Sequence, residues 1–338
     1  MNKEFIFFLK YNILDLKIIE SIKHIFSKST KYIKKIFNIK NYPKEYKDVL
    51  KEDFIIKRVS GVINNYATKD INLKIKLATK DYYIKSPEEI FNQFEDPEDF
   101  ESLHRFIWIK YLLSENKIDN EKMKKIESLI YYWCGTSNNG NNSIKNNLIW
   151  EPYTISERII NILFFYIKMN KQMPDLVILE IDKMAIKLIN SLEYYESSYG
   201  NHLINNFRAI LYYGLVFDNS KVLCKFSALL DKYLEKFTLN GFTKDYSSHY
   251  QLLFYYWIYD LNIISKKYNN KELIKIFDKY ILSLREKSKF FYNERSKHFS
   301  FFGDISPDMT PNYLLTLIDE EYEQTDGLSV ANLYKGIN

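Results

Sequence analysis

The chain has 338 residues, of which 46% are hydrophobic, and a formal net charge of +5 at pH 7. With only 9 glycines and 7 prolines, the composition argues against a turn-rich β architecture and favours helices. Cys134 and Cys224 lie far apart and show no CxxC spacing, which argues against a disulfide framework and a zinc site. We expect both thiols to be buried and inert.

The basic character of the chain belongs to its N-terminal part. Residues 1–58 hold 14 Lys and Arg against 7 Asp and Glu, and apolar residues from Ile13 to Ile22 recur at helical spacing. This pattern predicts a basic helical N-terminal arm with a break at Pro43. Such an arm could contact nucleic acid or anionic lipid. A solvated helix face is the more common explanation, and we expect no nucleic-acid partner.

Over residues 59–97 the spacing of apolar residues changes, and from Ile71 to Leu77 they alternate with polar ones. This alternation predicts a small extended or β segment. Helices are predicted from there on. Their expected extents are 98–115, 121–134, 154–169, 175–197, 201–217, 220–237, 246–267 and 271–287. Short connections imply antiparallel hairpins. Several helices are apolar nearly all round, which favours an incomplete α/α toroid over residues 98–300, followed by a tail at 301–338.

Membrane and export signals are weak. The longest apolar runs are too short to span a bilayer. The first residues place Lys10 and Asp15 inside what would be the apolar stretch of a signal peptide. We therefore expect no transmembrane span and a cytoplasmic location, with the periplasm as the alternative.

Two polar clusters at predicted helix starts stand out. The first contains Gly200, Asn201 and His202, and the second runs from Asp245 to Tyr250 and includes His249. Two of the five histidines of the chain therefore lie in these clusters. Polar side chains concentrated at the same ends of neighbouring helices are candidates for one binding or catalytic site.

Four segments carry a resemblance to a known family. They are HRFIWIKYL (104–112), WEPYTISERIINILFF (150–165), LEYYESSYGNHLINNFRAILYYGLVFDN (192–219) and NGFTKDYSSHYQLL (240–253). In this order they resemble the N-terminal toroid of the heparinase II/III-like polysaccharide lyases over residues 60–305, with Asp245 in place of the family's Glu. FFGDISPDMTPNYL (301–314) resembles that family's junction to a β-sandwich domain. We expect that domain to be lost or supplied by a separate partner.

The resemblance implies β-elimination of an anionic, uronic-acid-containing polysaccharide such as a capsule or cell-envelope glycan in a bacterium. It implies Asn201 as the neutral donor to the uronate carboxylate and Tyr250 as the general acid. The family's general base is a histidine of the sandwich domain, and His249 or His298 could replace it. Further implied roles go to His202, which could ease ionisation of Tyr250, and to the substrate-binding residues Arg158, Arg208, Trp150 and Tyr246. No cofactor or metal is implied.

Each of these residues also has a structural explanation. Asn201 could be a helix cap and Tyr250 a core residue, while His202 and His249 could hold their neighbours by hydrogen bonds. Arg158 could pair with Glu193 or Glu151, and Trp150 could simply pack. At the level of function, the alternatives are a glycan-binding module without turnover and a truncated lyase remnant that needs a partner β domain.

Overall fold

The computed structural model describes residues 70–115, 118–138, 147–193, 200–319 and 328–337. The predicted basic arm over 1–58 and the start of the 59–97 segment lie outside the described residues, and so does part of the 301–338 tail. Those predictions therefore stay predictions. The described residues all belong to one compact unit, Val49–Asn338.

The predicted extended segment forms an antiparallel hairpin. Strand β1 (Leu73–Lys76) pairs with β2 (Asp81–Ile84), and Leu73 lies opposite Ile84. Leu73 and Ile75 are buried while the residues between them face outward, as the alternation of apolar and polar residues requires. A short 3-10 helix, Pro87–Phe91, follows. The period-2 pattern thus predicted this element correctly.

The remaining described residues are mainly helical, which confirms the predicted class. The helices are α1 (Pro97–Arg105), α2 (Trp108–Leu113), α3 (Asn120–Asn138), α4 (Pro152–Met169), α5 (Asp175–Ile189), α6 (Asn201–Val216), α7 (Ser220–Phe237), α8 (Ser248–Lys267), α9 (Lys271–Lys289), α10 (Pro311–Leu315) and α11 (Val330–Tyr334). A 3-10 turn, Asn147–Trp150, precedes α4. Two-residue strands form the small hairpins β3 (Thr238–Leu239) with β4 (Phe242–Thr243) and β5 (Tyr292–Asn293) with β6 (His298–Phe299).

Side-chain caps fix where several helices begin. Asp96 accepts a hydrogen bond from the amide of Glu98 at 2.8 Å, and Ser247 accepts one from the amide of Tyr250 at 3.1 Å. Such caps satisfy amides that have no partner within the helix. The helix predicted over 98–115 is broken at Phe106, whose φ of 58° is left-handed, so it forms α1 and α2 instead.

The core lies where α4, α6 and α8 meet. Helix α6 packs against α4 on one side and against α7 and α8 on others, and α8 also packs on α9. Because these helices are covered on several sides, nearly every residue of α4 from Tyr153 to Ile167 is buried. This packing explains why the helices are apolar all round.

Two further expectations concern the cysteines and the membrane. Cys134 is buried, as expected, but Cys224 is exposed, so the expectation of burial was wrong for that thiol. It lies near the start of α7, on the side turned away from the core. Among the described residues, no helix combines the length and the hydropathy that crossing a bilayer requires.

Candidate functional site

The first polar cluster lies at the N-terminal end of α6. Gly200 occupies the N-cap position, and Asn201 and His202 form the first turn of the helix. Both side chains are half-buried. The side chain of Asn201 makes no hydrogen bond with any described residue. Because Gly200 rather than Asn201 is at the cap position, the capping explanation for Asn201 does not fit the geometry.

His202 is held by a carboxylate on one side and by an aromatic ring on the other. Its Nδ1 lies 3.0 Å from Oε1 of Glu193, and its ring lies 4.7 Å from the ring of Tyr153 between centroids. Although burial lowers the pKa of His202, the hydrogen bond and the charge of Glu193 raise it above the ordinary value. The bond to Glu193 assigns the proton to Nδ1, and Nε2 of the neutral ring has no partner among the described residues.

The second polar cluster lies at the N-terminal end of α8. Ser247 is the N-cap, and Tyr250 lies three residues further on, half-buried. The Tyr250 hydroxyl makes no hydrogen bond with a described residue. Burial, together with the negative charges of Asp304 and Asp245, raises the pKa of Tyr250 to about 12. The phenol is therefore neutral at physiological pH and can donate a proton, but it is a poor base.

The two helix starts come together around Tyr153. The charge of Tyr250 contributes to raising the pKa of Tyr153, whose ring also contacts His202. The charge of His202 lowers the pKa of Asp245, and the charge of Asp245 raises the pKa of Tyr250. We name these residues, with Arg105, the acid–base cluster: Arg105, Tyr153, His202, Asp245 and Tyr250.

Arg105 is the cation of this cluster. Its guanidinium lies 5.0 Å from the centre of the Tyr153 ring, and it lowers the pKa of Tyr250 against the acidic neighbours. Arg105 forms ion pairs with Glu101 and Asp308 and a longer one, 3.4 Å, with Glu98. The arginine thus joins α1 to the segment before α10 and is largely neutralised by its own carboxylates.

His249, although in the second cluster, is built into the fold. Its Nδ1 accepts a hydrogen bond from the amide of Ser306 and its Nε2 donates one to the carbonyl of Met309, both at 2.9 Å. Burial lowers its pKa to about 4. Since both ring nitrogens are engaged, this geometry favours the structural role of His249 over that of a base.

Arg158 and Trp150 also occupy structural positions. Arg158 is fully buried and donates to the carbonyls of His104 at 2.6 Å and Ile149 at 2.5 Å. Its guanidinium lies 4.2 Å from the centre of the Trp133 ring and 5.5 Å from that of Trp150. It pairs with neither Glu193 nor Glu151. A guanidinium enclosed in this way cannot reach a sugar without unfolding its surroundings.

Arg208 belongs to a buried ionic network. It pairs with Asp260 and, at 3.1 Å, with Glu157, while Lys110 lies 3.4 Å from the same Asp260. Burial raises the pKa of Asp260, but Lys110 and Arg208 outweigh it and bring the value down to about 2. Burial also lowers the pKa of Lys110 to about 8. This network joins α2, α4, α6 and α8 and leaves Arg208 no free donor face for a ligand.

The remaining predicted residues lie at the surface. Tyr246 has a left-handed φ of 53° and is 80% exposed beside the acid–base cluster, which suits a ring that stacks on a sugar. His298, the other candidate base, is exposed in β6. Of the eight predicted site residues, the geometry therefore leaves Asn201, His202, Tyr250 and Tyr246 accessible at neighbouring positions.

Sequence reasoning missed the roles of Arg105, Tyr153 and Glu193. Arg105 and Tyr153 lie inside segments that already carried the resemblance. An arginine that ends a helix with three acids in its first two turns is a recognisable signal. The pairing of Glu193 with His202 across a loop has no such signal. Its nine-residue separation fits no helical or strand period.

Chemically, the cluster offers one imidazole, one acid of raised pKa and two neutral phenols. No group of three or more His, Cys, Asp or Glu with metal-binding geometry occurs among residues 70–115, 118–138, 147–193, 200–319 and 328–337.

Comparison of the chain with protein-family models, with curated proteins and with solved structures gives no match. The resemblance to the heparinase II/III-like lyases therefore stays a proposal.

Proposed function

We propose that the protein binds a uronic-acid-containing glycan at the acid–base cluster and cleaves it by β-elimination. The observation that carries this proposal is that His202 contacts Tyr153, while charge interactions couple Tyr250 to Tyr153 and Asp245 to His202, although the two helix starts lie more than 40 residues apart in the chain. Catalytic sites bring together groups of different proton affinity in this way.

In this proposal His202 is the general base. Glu193 orients the ring through Nδ1 and leaves Nε2 to take the proton from C5 of the uronate. The electron pair of the C5–H bond forms the C4=C5 double bond, and the C4–O bond breaks. A histidine held by a carboxylate is a common proton acceptor in enzymes. The base expected from a sandwich domain is then available within this chain.

Tyr250 is the proposed general acid. Its hydroxyl, which is protonated at neutral pH, donates a proton to the leaving glycosidic oxygen. Asn201, next to the base and without a partner among the described residues, donates to the uronate carboxylate and lowers the cost of negative charge developing beside it. Tyr246 supplies an exposed ring for a neighbouring sugar.

The arrangement of helices supports an incomplete α/α toroid as the fold of this proposal. Helices α4, α6 and α8 contact one another in turn, while α5 packs on α4 and α6, α7 on α6, and α9 on α8. An inner layer of alternate helices with an outer layer between them is what a toroid requires. The acid–base cluster lies at one end of that inner layer, where a toroid holds its ligand.

The charges of the cluster narrow the proposed substrate. Glu98 and Asp304 raise the pKa of Tyr250, and Arg105 is shared among three carboxylates. Excess negative charge repels a densely sulfated polymer. We therefore propose an unsulfated uronate as substrate in preference to a sulfated glycosaminoglycan.

A glycan-binding module without turnover is the second candidate. It is favoured because the carboxylates around Tyr250 raise the pKa of the phenol and so make it a weaker general acid. One experiment separates the two. The protein is incubated with polygalacturonate, alginate, hyaluronan and heparan sulfate, and the ultraviolet absorbance of the unsaturated product is followed beside calorimetric binding. The proposal predicts a rising signal with an unsulfated uronate and its loss in Tyr250→Phe. Binding without any signal supports the module, and neither binding nor signal refutes both.

A further inference from the structure

One carboxyl oxygen of Asp245 has no hydrogen-bond partner among the residues that the structure describes. The residue lies between β4 and α8, half-buried. The oxygen without a partner, Oδ2, is buried. A buried polar atom without a partner is unfavourable, and such an atom in a candidate site indicates a ligand contact.

Asp245 is coupled electrostatically to both the proposed base and the proposed acid. From α6, the charge of His202 acts on Asp245. The charge of Asp245 raises the pKa of Tyr250 in α8. Glu98 and Asp304 raise that pKa as well, and Arg105 lowers it. His202 is in turn faced by Glu193, Glu151 and Arg105. No cation forms an ion pair with Asp245 among the described residues.

We propose that Asp245 is a further ligand-binding residue, whose protonated carboxyl group donates a hydrogen bond to the carboxylate of the bound uronate. This inference rests on the proposed function and deepens it. Because the contact needs the acid form of Asp245, it makes binding of the anionic sugar proton-linked. A neutral donor at this position also stabilises the charge that develops when C5 loses its proton.

The titration of Asp245 supports this assignment. Burial raises its pKa to about 6, against the opposing effect of His202. A bound carboxylate raises it further, because two carboxyl groups in one site cannot both ionise at low cost. The base must be neutral while Asp245 is protonated. Turnover should therefore be bell-shaped in pH, because it needs neutral His202 and protonated Asp245 at the same time.

Asp245→Asn is the central variant, because it keeps a neutral donor of the same shape and removes the ionisation. We expect turnover of the active unsulfated uronate to keep its acid limb and lose its basic limb. Asp245→Ala should lower turnover by a factor of roughly 100 across the pH range, as the loss of a donor to developing charge does. Glu294→Gln, which removes an acid exposed at the surface, is the matched control and should leave the profile unchanged.

A second readout needs no glycan. The folded-state pKa of Asp245 is raised above the reference value of about 3.9 for an unfolded chain, so the stability that its acid form contributes is lost as pH rises through about 6. Asp245→Asn should therefore melt above the wild type at pH 8 and equal to it at pH 4. It should also shift the ring titration of His202, followed by NMR, to lower pH.

The two readouts separate failure of this inference from failure of the proposed function. If wild type and Asp245→Asn share the same basic limb, Asp245 is not the ligand's donor although the lyase activity stands. If Asp245→Asn melts below the wild type at pH 8, the carboxyl group is a structural acceptor and the inference is overturned. If no uronate gives turnover or binding in any variant, the proposed function fails and the ligand role of Asp245 fails with it.

Discussion

Replacing Arg208 by Met tests whether the structure has assigned this arginine correctly. The resemblance implies a substrate contact, whereas the structure buries the guanidinium between Asp260 and Glu157. Arg208→Met leaves Asp260 with Lys110, at 3.4 Å, as its one remaining cation among the described residues. Breaking a buried ion pair on one side typically costs about 3–5 kcal/mol, because the remaining charge stays buried without compensation.

This cost converts into a measurable change in melting temperature. An unfolding entropy of about 2.1 cal/mol/K per residue amounts to roughly 0.7 kcal/mol/K for the whole chain, so a loss of 3–5 kcal/mol lowers Tm by roughly 4–7 °C. Differential scanning calorimetry measures this shift. Lys279→Met is the control, because Lys279 pairs with Asp231 at 3.4 Å on the surface, and an exposed pair contributes only about 0–1 kcal/mol. An Arg208→Met protein with wild-type Tm and reduced glycan affinity would refute the structural assignment.

Three further predictions concern the polar clusters. Asn201→Ala should lower uronate turnover by a factor of roughly 100 with Tm nearly unchanged, because Gly200 holds the cap position; a fall in Tm without loss of turnover would restore the capping explanation. Tyr246→Ala should weaken glycan affinity several-fold in calorimetry at unchanged Tm, whereas Leu282→Ala, an exposed control, should change neither; equal affinities would exclude stacking. His249 has a folded-state pKa of about 4, below the unfolded value of about 6.5. The neutral ring therefore stabilises the fold above pH 6.5, by up to about 3 kcal/mol, and this stabilisation should be lost as the pH falls from 6.5 to 4. His249→Gln should flatten that part of the pH–stability curve, and an unchanged curve would contradict the buried neutral ring.

Much of the helical architecture could be predicted because periodicity and caps are local. The spacing of apolar residues located α6, α7 and α8 to within about two residues at each end. The errors occurred where a tertiary contact decides. The left-handed Phe106 divides one expected helix into two, and α5 ends at Ile189 rather than at residue 197. Neither break is marked by a glycine or a proline.

The site was predictable only in part, because a side chain's role depends on the groups that it meets. Arg158 and Arg208 interrupt apolar helices, and in a sequence such arginines look alike whether they bind a ligand, a backbone carbonyl or a buried carboxylate. The structure gives carbonyls to Arg158 and carboxylates to Arg208. His202 and His249 likewise differ only in their partners, since one ring nitrogen of His202 stays free and both of His249 are bonded.

Asp245 illustrates the opposite case. In the sequence it is only a departure from a family pattern, a shorter acid in place of a Glu. In the structure it is a carboxyl group with a buried oxygen that lacks a partner among the described residues, and it is coupled electrostatically to the proposed base and acid. Burial and partner geometry, which no local pattern encodes, turn this departure into a candidate for ligand recognition.

The central claim is that His202 and Tyr250 act on the same bond of one ligand, and a double-mutant cycle tests it most directly. Turnover of an unsulfated uronate is measured for the wild type, His202→Gln, Tyr250→Phe and the double variant, with Tm recorded for each. Residues that act as one unit are strongly non-additive, so we predict that the double variant turns over no more slowly than the worse single variant. Losses that multiply in the double variant would show independent roles and contradict the shared site.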